Sequence, residues 1–232
     1  MNYDSVFSRN IGAISEREQK KLKEARAAVI GCGGIGGLVI EMIARSGVGK
    51  LRIADRDVFE ASNLNRQVLS SKSALGKKKV EVARAKILEV NDEATVEVFE
   101  EVNEKNAKKF LSEADVVVDA VDSVLSRVIV NEEARRMRVP YVFAAAEKTS
   151  ALCSVFSEKT KSYAEVFCLP KEKEKLAKMR GAKPILGVTA NVAGCLAAAQ
   201  AIKILLGKKT VCAPNFICFD LEELELFSLR RI

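Results

Sequence analysis

Short apolar runs alternate with longer amphipathic runs over the first two thirds of the chain. The apolar runs predict buried strands, and the amphipathic runs between them predict helices. Strands that alternate with helices form βαβ units, which build a mostly parallel sheet with helices on its faces. The predicted strands cover residues 27–31, 50–54, 95–99, 116–119 and 141–145. The predicted helices cover residues 15–25, 35–45, 76–90, 107–111 and 126–138.

The last third of the chain has a different pattern. Two short alternating runs predict a β-hairpin, one long apolar run predicts a buried helix that ends at Gly207, and two more strands follow. The hairpin strands are predicted at 152–156 and 163–167, the helix at 189–206, and the final strands at 216–220 and 224–229. The fold class is therefore α/β, with a Rossmann-like, doubly wound, mostly parallel sheet and a C-terminal antiparallel extension.

We expect one domain over residues 1–232, with no repeat and no linker inside it. It begins with a helical segment over 1–25, where Ser15 and Glu18 have the spacing of a capping box. Residues from about 169 to 187 are rich in charge and contain few apolar anchors, so we expect them to form a mobile loop.

The amino-acid composition indicates the class of protein and its expected location, but it does not decide the function. The hydrophobic fraction of 48% and the charged fraction of 30% are ordinary for a globular protein, and no apolar leader opens the sequence, so we expect a cytoplasmic protein. The longest apolar stretch contains Asn191, Gln200 and Lys203, which favours a buried helix over a membrane span. The formal charge of +7 would suit nucleotide phosphates, an acidic protein surface or RNA.

Histidine and cysteine limit the chemistry further. The chain has no histidine, which excludes Ser-His-Asp catalysis, Cys-His catalysis and histidine-ligated zinc. Its six cysteines form no CxxC pair, so we expect no structural zinc and mostly buried, reduced thiols. Cys195 falls inside the predicted buried helix and is expected in the core. Cys168 borders the charge-rich loop and is the plausible exposed thiol.

A glycine-rich turn follows the first predicted strand. Gly31, Gly33, Gly34 and Gly36 form a GxGxxG pattern that leads into a helix, and Asp55 ends the next strand. Glycines let the backbone approach a phosphate, the helix N-terminus adds positive partial charge, and an aspartate here accepts from a ribose hydroxyl. This pattern predicts nucleotide binding, but taken alone it would favour NAD.

Two cations and an asparagine follow that aspartate. Asn63 and Arg66 lie in a polar segment after Asp55 and Asp57, and Lys79 lies at the end of a lysine run that opens a predicted helix. A dehydrogenase does not need these cations, whereas a triphosphate is well bound by an arginine fork and a lysine point charge. The segment favours ATP, and the alternative is a solvated polar loop beside a basic surface cluster.

Two carboxylates end the fourth predicted strand. Asp119 and Asp122 follow a valine run, and ligands of open parallel sheets bind at the carboxyl ends of strands. A carboxylate beside a triphosphate is most useful as a Mg²⁺ ligand, and the alternative role is to cap the helix that follows. We expect Asp122 to be the ligand and Asp119, closer to the strand interior, to be structural.

Six features have the residues and the order of one known family. They are, in chain order, Arg9, GCGGIGG at 31–37, ADRD at 54–57, SNLNRQ at 62–67, GKKK at 76–79 and DAVDS at 119–123. On them the chain resembles the ThiF/MoeB/HesA family of ubiquitin-like-activating adenylyltransferases, in a form without zinc. The resemblance covers nearly the whole chain.

The resemblance implies a reaction and a set of roles. Such an enzyme would use ATP and Mg²⁺ to adenylate the C-terminal glycine of a ubiquitin-like sulfur-carrier protein ending in Gly-Gly, and would release pyrophosphate. It would be a homodimer in which Arg9 reaches the triphosphate of the neighbouring subunit. Asp55 would hold the ribose, and Asp57 would also belong to the nucleotide-binding residues. Asn63, Arg66 and Lys79 would bind the phosphates, and Asp122 the Mg²⁺.

Several alternatives stay open at the level of sequence. A sibling in the same superfamily adenylates a modified tRNA base, and the basic charge allows that role; otherwise we expect no nucleic-acid partner and no membrane partner. Functions of another class are an NAD-dependent dehydrogenase and a non-catalytic nucleotide-binding module. Relatives that bond covalently to their carrier use a cysteine shortly before the C-terminal helix, and residues 180–188 contain none.

Overall fold

The computed structural model describes residues 2–179, 184–222 and 228–232. Within them a single sheet of eight strands has the order β3–β2–β1–β4–β5–β6–β7–β8. The first five strands are parallel to their neighbours, and the last three each run antiparallel to the strand before. The strands are β1 (Arg26–Ile30), β2 (Lys50–Ala54), β3 (Thr95–Phe99), β4 (Val116–Asp119), β5 (Tyr141–Glu147), β6 (Ser150–Phe156), β7 (Asn215–Asp220) and β8 (Ser228–Arg231).

Helices cover both faces of this sheet, as the alternating pattern predicts. On β1, Ala27 and Val29 pack into one core cluster with α2, α3, α4 and α9, while Ala28 and Ile30 pack into a second cluster with α5, α6 and α7. The doubly wound fold class is therefore confirmed. The helices are α1 (Tyr3–Val6), α2 (Glu16–Glu24), α3 (Gly34–Arg45), α4 (Lys79–Val90), α5 (Ala107–Leu111), α6 (Val124–Met137), α7 (Tyr163–Val166), α8 (Lys173–Lys178) and α9 (Gly187–Leu205).

The predicted hairpin is wrong in its second strand. β6 pairs with β5, so that Ala145 lies opposite Leu152, and the segment at 163–167 is mostly helix α7. A capping box starts that helix, because Ser162 accepts from the backbone of Glu165 and the Glu165 carboxylate accepts from the backbone of Ser162. The Ser-x-x-Glu spacing was present in the sequence and outweighs the short alternating pattern.

Helix α9 is less enclosed than its sequence predicts. By length and composition alone it could cross a membrane. In the fold, however, 44% of its apolar 18-residue stretch is buried, and the helix packs against α3 and the sheet. Ala190, Ala193 and Ala197 lie on the buried side, whereas Val188 and Cys195 are exposed on the other. The expectation that Cys195 belongs to the core is wrong, because residues 188 and 195 are two helical turns apart on the outward face.

The charge-rich segment is partly helical, since α8 lies within the predicted loop and buries Leu176. Residues 180–183, in the same predicted loop, lie outside the described residues, and its mobility stays a prediction. Residues 223–227, which include most of the last predicted strand, also lie outside them, and the strand that is described there is β8. The capping box of Ser15 and Glu18 is present at the start of α2.

Candidate nucleotide-binding site

The glycine turn is packed against the end of β4. Gly31 has a φ of +93°, and a Cβ atom there would lie 2.5 Å from the carbonyl oxygen of Ala120. A Cβ atom on Gly36 would lie 1.8 Å from the carbonyl oxygen of Gly31. Real Cβ atoms do not come this close to backbone atoms, so both positions require glycine for the turn to fold. These two glycines serve the packing of the loop whether or not a ligand is bound.

The other two glycines lie at the start of α3 and are less crowded. The closest atoms to a Cβ on Gly33 would belong to Gln67, and those to a Cβ on Gly34 would belong to Ala190 and Arg66. Gly33 is the N-cap of α3 and has no side chain to cap it. The amides of the first turn of this 12-residue helix therefore have no side-chain acceptor at its N-cap, and Gly34 and Ile35 of that turn line the crevice, at the positive end of the helix dipole.

Asp55 ties the glycine turn to the end of β2. Its Oδ2 accepts from the amide of Cys32 at 2.7 Å, and its Oδ1 accepts from the amide of Asp57 at 2.8 Å. The carboxylate is half-buried, so its outer lone pairs can still meet a ligand. Burial raises the pKa of the Cys32 thiol well above its ordinary value, with Asp55 adding to the rise, so this cysteine is not a reactive thiolate.

Lys79 and Asp57 form an ion pair, and the lysine lies close enough to the glycine turn for its charge to act on Cys32. The Nζ atom of Lys79 lies 3.3 Å from Oδ2 of Asp57, and the amide of Lys79 donates to the carbonyl of Asp57. The lysine side chain is 8% exposed and the aspartate side chain 60% exposed. A nearly buried ammonium whose partner is open to water can exchange that partner for a phosphate oxygen at little structural cost.

Arg66 and Asn63 lie on the irregular segment between β2 and α4. Arg66 is half-buried, and its Nη1 donates to the carbonyl of Ser62 and to the side chain of Asn65, each at 2.8 Å. Asn63 is buried, and its Oδ1 accepts from the amide of Glu60, so the side chain shapes the turn. The structure thus brings Arg66 beside Gly34, whereas phosphate binding by Asn63 stays a prediction.

The two aspartates after β4 have different surroundings. Asp119 is 1% exposed; its Oδ2 accepts from the Tyr141 hydroxyl at 2.6 Å, and its Oδ1 accepts from the amide of Val121 at 3.1 Å. Burial raises the pKa of Asp119, and Arg127 and the Tyr141 hydrogen bond oppose that rise. Asp122 is exposed at the crevice. The carboxylate that remains accessible to a ligand is therefore that of Asp122.

Arg127 is a functional-site residue that sequence reasoning missed. It lies in α6, with Nε 3.4 Å from Oδ2 of Asp119, and it donates to the carbonyls of Val121 and Ala144. Its guanidinium lies 4.8 Å from the ring centroid of Phe143. These contacts clamp the turn that carries Asp122 between α6 and β5. A signal was available, because a carboxylate inside a buried strand end requires a cation or several donors nearby.

A cavity of about 770 Å³ lies beside the glycine turn, and Arg66, Asp122 and Arg127 line it, whereas Asp55, Asp57 and Lys79 do not. Its lining combines Gly34, Arg66 and Asp122 with apolar side chains of β5, β6 and α7, and with the polar residues Arg127, Glu147 and Ser150. The uncapped helix start, Arg66 and Lys79 fit a triphosphate. Among the described residues there is no cluster of three or more potential metal ligands, so a Mg²⁺ ion here would take its remaining oxygen ligands from phosphate and water.

The structure does not bring Arg9 to this site. Arg9 is exposed, and its segment is anchored by hydrogen bonds from the Tyr3 hydroxyl to the carbonyl of Gly47 and from Gln19 to the carbonyl of Ser46. Asn10 donates to the same Gln19 side chain. Residues 46 and 47 follow the C-terminal end of α3, and a 12-residue helix spans about 18 Å, so Arg9 is held near the end of α3 opposite the glycine turn.

A model of the ThiF family matches residues 7–232. The chain belongs to the ThiF family. Among curated relatives it is 33% identical over 218 residues to the adenylyltransferase and sulfurtransferase MOCS3 of Culex quinquefasciatus, which covers 92% of this chain and 50% of that protein. It is 33% identical over 230 residues to the sulfur carrier protein ThiS adenylyltransferase of Bacillus subtilis, which covers 94% of this chain and 64% of that protein.

This ThiF-family chain therefore spans roughly half to two thirds of the length of these two relatives. Among solved structures it is similar to E. coli MccB with ATP, at a TM-score of 0.81 and 30% identity over 97% of this chain and 70% of that one. It is also similar to E. coli MccB with succinimide, at a TM-score of 0.84 and 29% identity over 100% of this chain and 72% of that one. The family resemblance and the fold predicted from the sequence are both confirmed.

Proposed function

We propose that this protein is an ATP- and Mg²⁺-dependent adenylyltransferase that activates the C-terminal glycine of a ubiquitin-like sulfur-carrier protein. One observation carries the proposal: Arg66 and the uncapped start of α3 border the same cavity as the exposed Asp122, and Lys79 lies close enough to the glycine turn for its charge to act on Cys32. The family membership and the names of the relatives agree with it. A dehydrogenase would leave the two cations without a role.

The chemistry requires no general base from the protein. The carrier's terminal carboxylate is ionised at neutral pH, because its ordinary pKa lies near 3.5. One of its oxygens attacks the α-phosphorus of ATP; the new O–P bond forms as the bond to pyrophosphate breaks, and pyrophosphate leaves with the electron pair. The barrier is the repulsion between two anions and the charge that develops on the phosphates, which fixed cations lower.

The residues would divide this work as follows. Asp55 would accept a hydrogen bond from the ribose while keeping the glycine turn in place. Asp57 would pair with Lys79 until a phosphate oxygen replaces the Asp57 carboxylate. Arg66 and Lys79 bind the phosphates, and Asn63 shapes the turn that presents Arg66. A Mg²⁺ ion held by Asp122 and the phosphates would neutralise the leaving pyrophosphate. A chain without histidine is sufficient for this reaction.

We further propose a cytoplasmic homodimer in which residues 1–232 act as one adenylation domain. Exposed apolar surface on α9 supports contact with a second copy of the chain, because Val188 is 49% exposed and Cys195 is exposed on the same side. Leu186, which precedes the helix, is 52% exposed. Arg9 supports it too, since its anchor lies at the wrong end of α3 for its own site. In the dimer, Arg9 would reach the triphosphate of the neighbouring subunit.

ATP–pyrophosphate exchange, measured with candidate acceptors, tests the proposal. We expect exchange that requires a carrier protein ending in Gly-Gly and that is lost when the terminal glycine is removed. Exchange driven by tRNA and not by carriers would replace the proposal with the tRNA-modifying alternative. NAD binding without ATP binding would contradict the whole nucleotide assignment.

A further inference from the structure

Strands β5 and β6 extend past the end of β4. Asp119, the last residue of β4, pairs with Phe143, and residues 144–147 of β5 continue without β4 while still paired to β6. Four residues of strand extend about 13 Å. This overhang forms one wall of the cavity, on the side of Asp122 that faces away from Asp55.

The overhang faces two helices across a cleft whose lining is mostly apolar, and Arg127, Glu147 and Ser150 are its polar members. The sheet side contributes Phe143, Ala145 and Leu152, and α6 and α7 contribute the other wall. The ring centroids of Phe143 and Tyr163 are 5.4 Å apart, and those of Tyr163 and Phe167 are 4.8 Å apart, so the two walls meet in a packed aromatic cluster. We name this region the apolar compartment; its residues are Val124, Phe143, Ala145, Leu152, Tyr163 and Phe167.

The position of the compartment separates it from the nucleoside. The sheet order places β2, with Asp55, on one side of β1 and places β4, β5 and β6 on the other. A nucleoside held by Asp55 would therefore lie away from the overhang, which leaves the compartment on the β4 side to the acceptor. Ala145 is the small residue in the sheet wall, and its cross-strand partner is the half-buried Leu152.

A Gly-Gly end cannot fill this space. Glycine has no side chain, and two extended residues reach only about 7 Å from the reacting carboxylate. We propose that the apolar compartment binds a bulky apolar side chain of the acceptor, one to three residues before its Gly-Gly end. This inference rests on the proposed function and adds a specificity pocket to it. Burying one leucine or phenylalanine side chain is expected to improve acceptor affinity by about tenfold or more.

Direct binding of synthetic peptides tests the pocket without requiring turnover. Fluorescently labelled heptapeptides ending in Gly-Gly, with Ala, Asp, Leu or Phe at each of the three preceding positions, are titrated in the presence of a non-hydrolysable ATP analogue. We expect Leu or Phe at one of these positions to bind about tenfold or more tightly than Ala, and Asp to bind most weakly. Equal binding of all peptides, or no binding of any, would overturn the inference.

Filling the compartment provides the matched variant. In Ala145→Leu the added side chain occupies the pocket, so the Leu and Phe peptides should lose their advantage while the Ala peptide binds as before. Ala85→Leu makes the same change on an exposed position of α4 and should alter nothing. If Ala145→Leu does not fold, Leu152→Ala enlarges the same pocket and should shift the preference from Leu towards Phe; an unchanged order would contradict the pocket.

The same peptides, used in pyrophosphate exchange, separate this inference from the proposed function. A Leu or Phe preference in binding, without any exchange by carriers or peptides, would keep the pocket and remove the adenylation proposal. Carrier-dependent exchange without any side-chain preference would support the adenylation proposal and contradict the proposed pocket.

Discussion

The two halves of the sheet place their side chains by different means. In the parallel half, β1 to β4, polar groups at strand ends are held by backbone contacts, such as the amide of Cys32 on Asp55 and the amide of Val121 on Asp119. In the other half, β5 to β8 with α7, the cavity wall is a set of aromatic side chains packed on one another. The first half is suited to a charged nucleotide, and the second to an apolar part of an acceptor.

Because of this difference, we expect substitutions in the two regions to reduce different properties, turnover in one case and stability in the other. A change to a polar group at a strand end should stop the chemistry and leave the fold intact, because the backbone positions the group. A change at the boundary between the halves, where Arg127 contacts Asp119 of β4 and Phe143 of β5, should reduce stability. The buried charges of Arg127 and Asp119 depend on each other. The outer parts of the second half should tolerate change with little effect on turnover.

Asp122→Ala should have the largest effect on turnover. It removes the exposed carboxylate proposed to hold Mg²⁺, and the loss of a preorganised metal ligand is expected to lower exchange by about 10³-fold or more. The melting temperature should stay the same, since Asp122 is exposed. Glu158→Ala, at another exposed acid, is the control. If Asp122→Ala keeps wild-type exchange at every Mg²⁺ concentration, Asp122 is not the ligand.

Arg127→Met tests the boundary between the two halves of the sheet. It leaves Asp119 buried without its cation, which is expected to cost about 3–5 kcal/mol of the free energy of unfolding. Burial raises the pKa of Asp119 in the folded state, so the stability it contributes is present at low pH and is lost as pH rises through that raised pKa. The penalty should therefore be smaller at pH 5 than at pH 8 in urea unfolding.

The double variant with Asp119→Asn should recover part of the stability lost in Arg127→Met, because the unpaired charge is gone. A penalty that is the same at both pH values, and no recovery in the double variant, would show that Arg127 acts by packing alone.

Lys79→Ala and Arg66→Ala should each lower exchange by about 10²-fold, because each removes a fixed cation from the phosphates. The fold should be retained, and Lys77→Ala, two residues before Lys79 and exposed, should behave as wild type. Exchange rates and melting curves of the three variants check this. Exchange within a few-fold of wild type would remove both residues from the site.

The nucleotide-binding residues of the parallel half could be predicted from the sequence because their sequence signals are local. The four glycines, Asp55 and Lys79 are close to strand ends or helix starts, and short spacings identify such positions. The apolar compartment is different: Ala145, Leu152 and Tyr163 meet only through strand pairing and a helix that the alternating pattern concealed. Arg127 was missed because the expected position of Asp119 near the strand interior calls for a cation nearby, but the sequence does not identify which cation the fold brings to it.

Arg9 tests whether the site is completed by a second subunit. Arg9→Ala and Lys79→Ala should each be nearly inactive, but mixing them lets one site of each heterodimer keep both groups. Half of the dimers would be mixed, so activity should return to about a quarter of wild type. Subunit exchange must be shown separately, with differently tagged chains. No recovery despite exchange would place Arg9 outside the reaction or in its own subunit.

Cys168→Ala should have the smallest effect. Cys168 is exposed at the end of α7, in the second half of the molecule, and an acyl-adenylate forms without an enzyme nucleophile. We expect wild-type exchange and no thiol-sensitive bond between carrier and enzyme in denaturing gels. A thiol-sensitive adduct that disappears in Cys168→Ala would show that this half also performs covalent chemistry.

The fate of the carboxylate oxygen tests the central claim most directly. A Gly-Gly-ended carrier, labelled with ¹⁸O in its terminal carboxylate, is incubated with the protein, ATP and Mg²⁺, and the adenylate is then cleaved at its acyl carbon with hydroxylamine. If the carboxylate attacks the α-phosphorus, the released AMP carries one ¹⁸O from the carrier and the pyrophosphate carries none. AMP without label, or ADP and phosphate as products, would contradict adenylation of a carrier carboxylate.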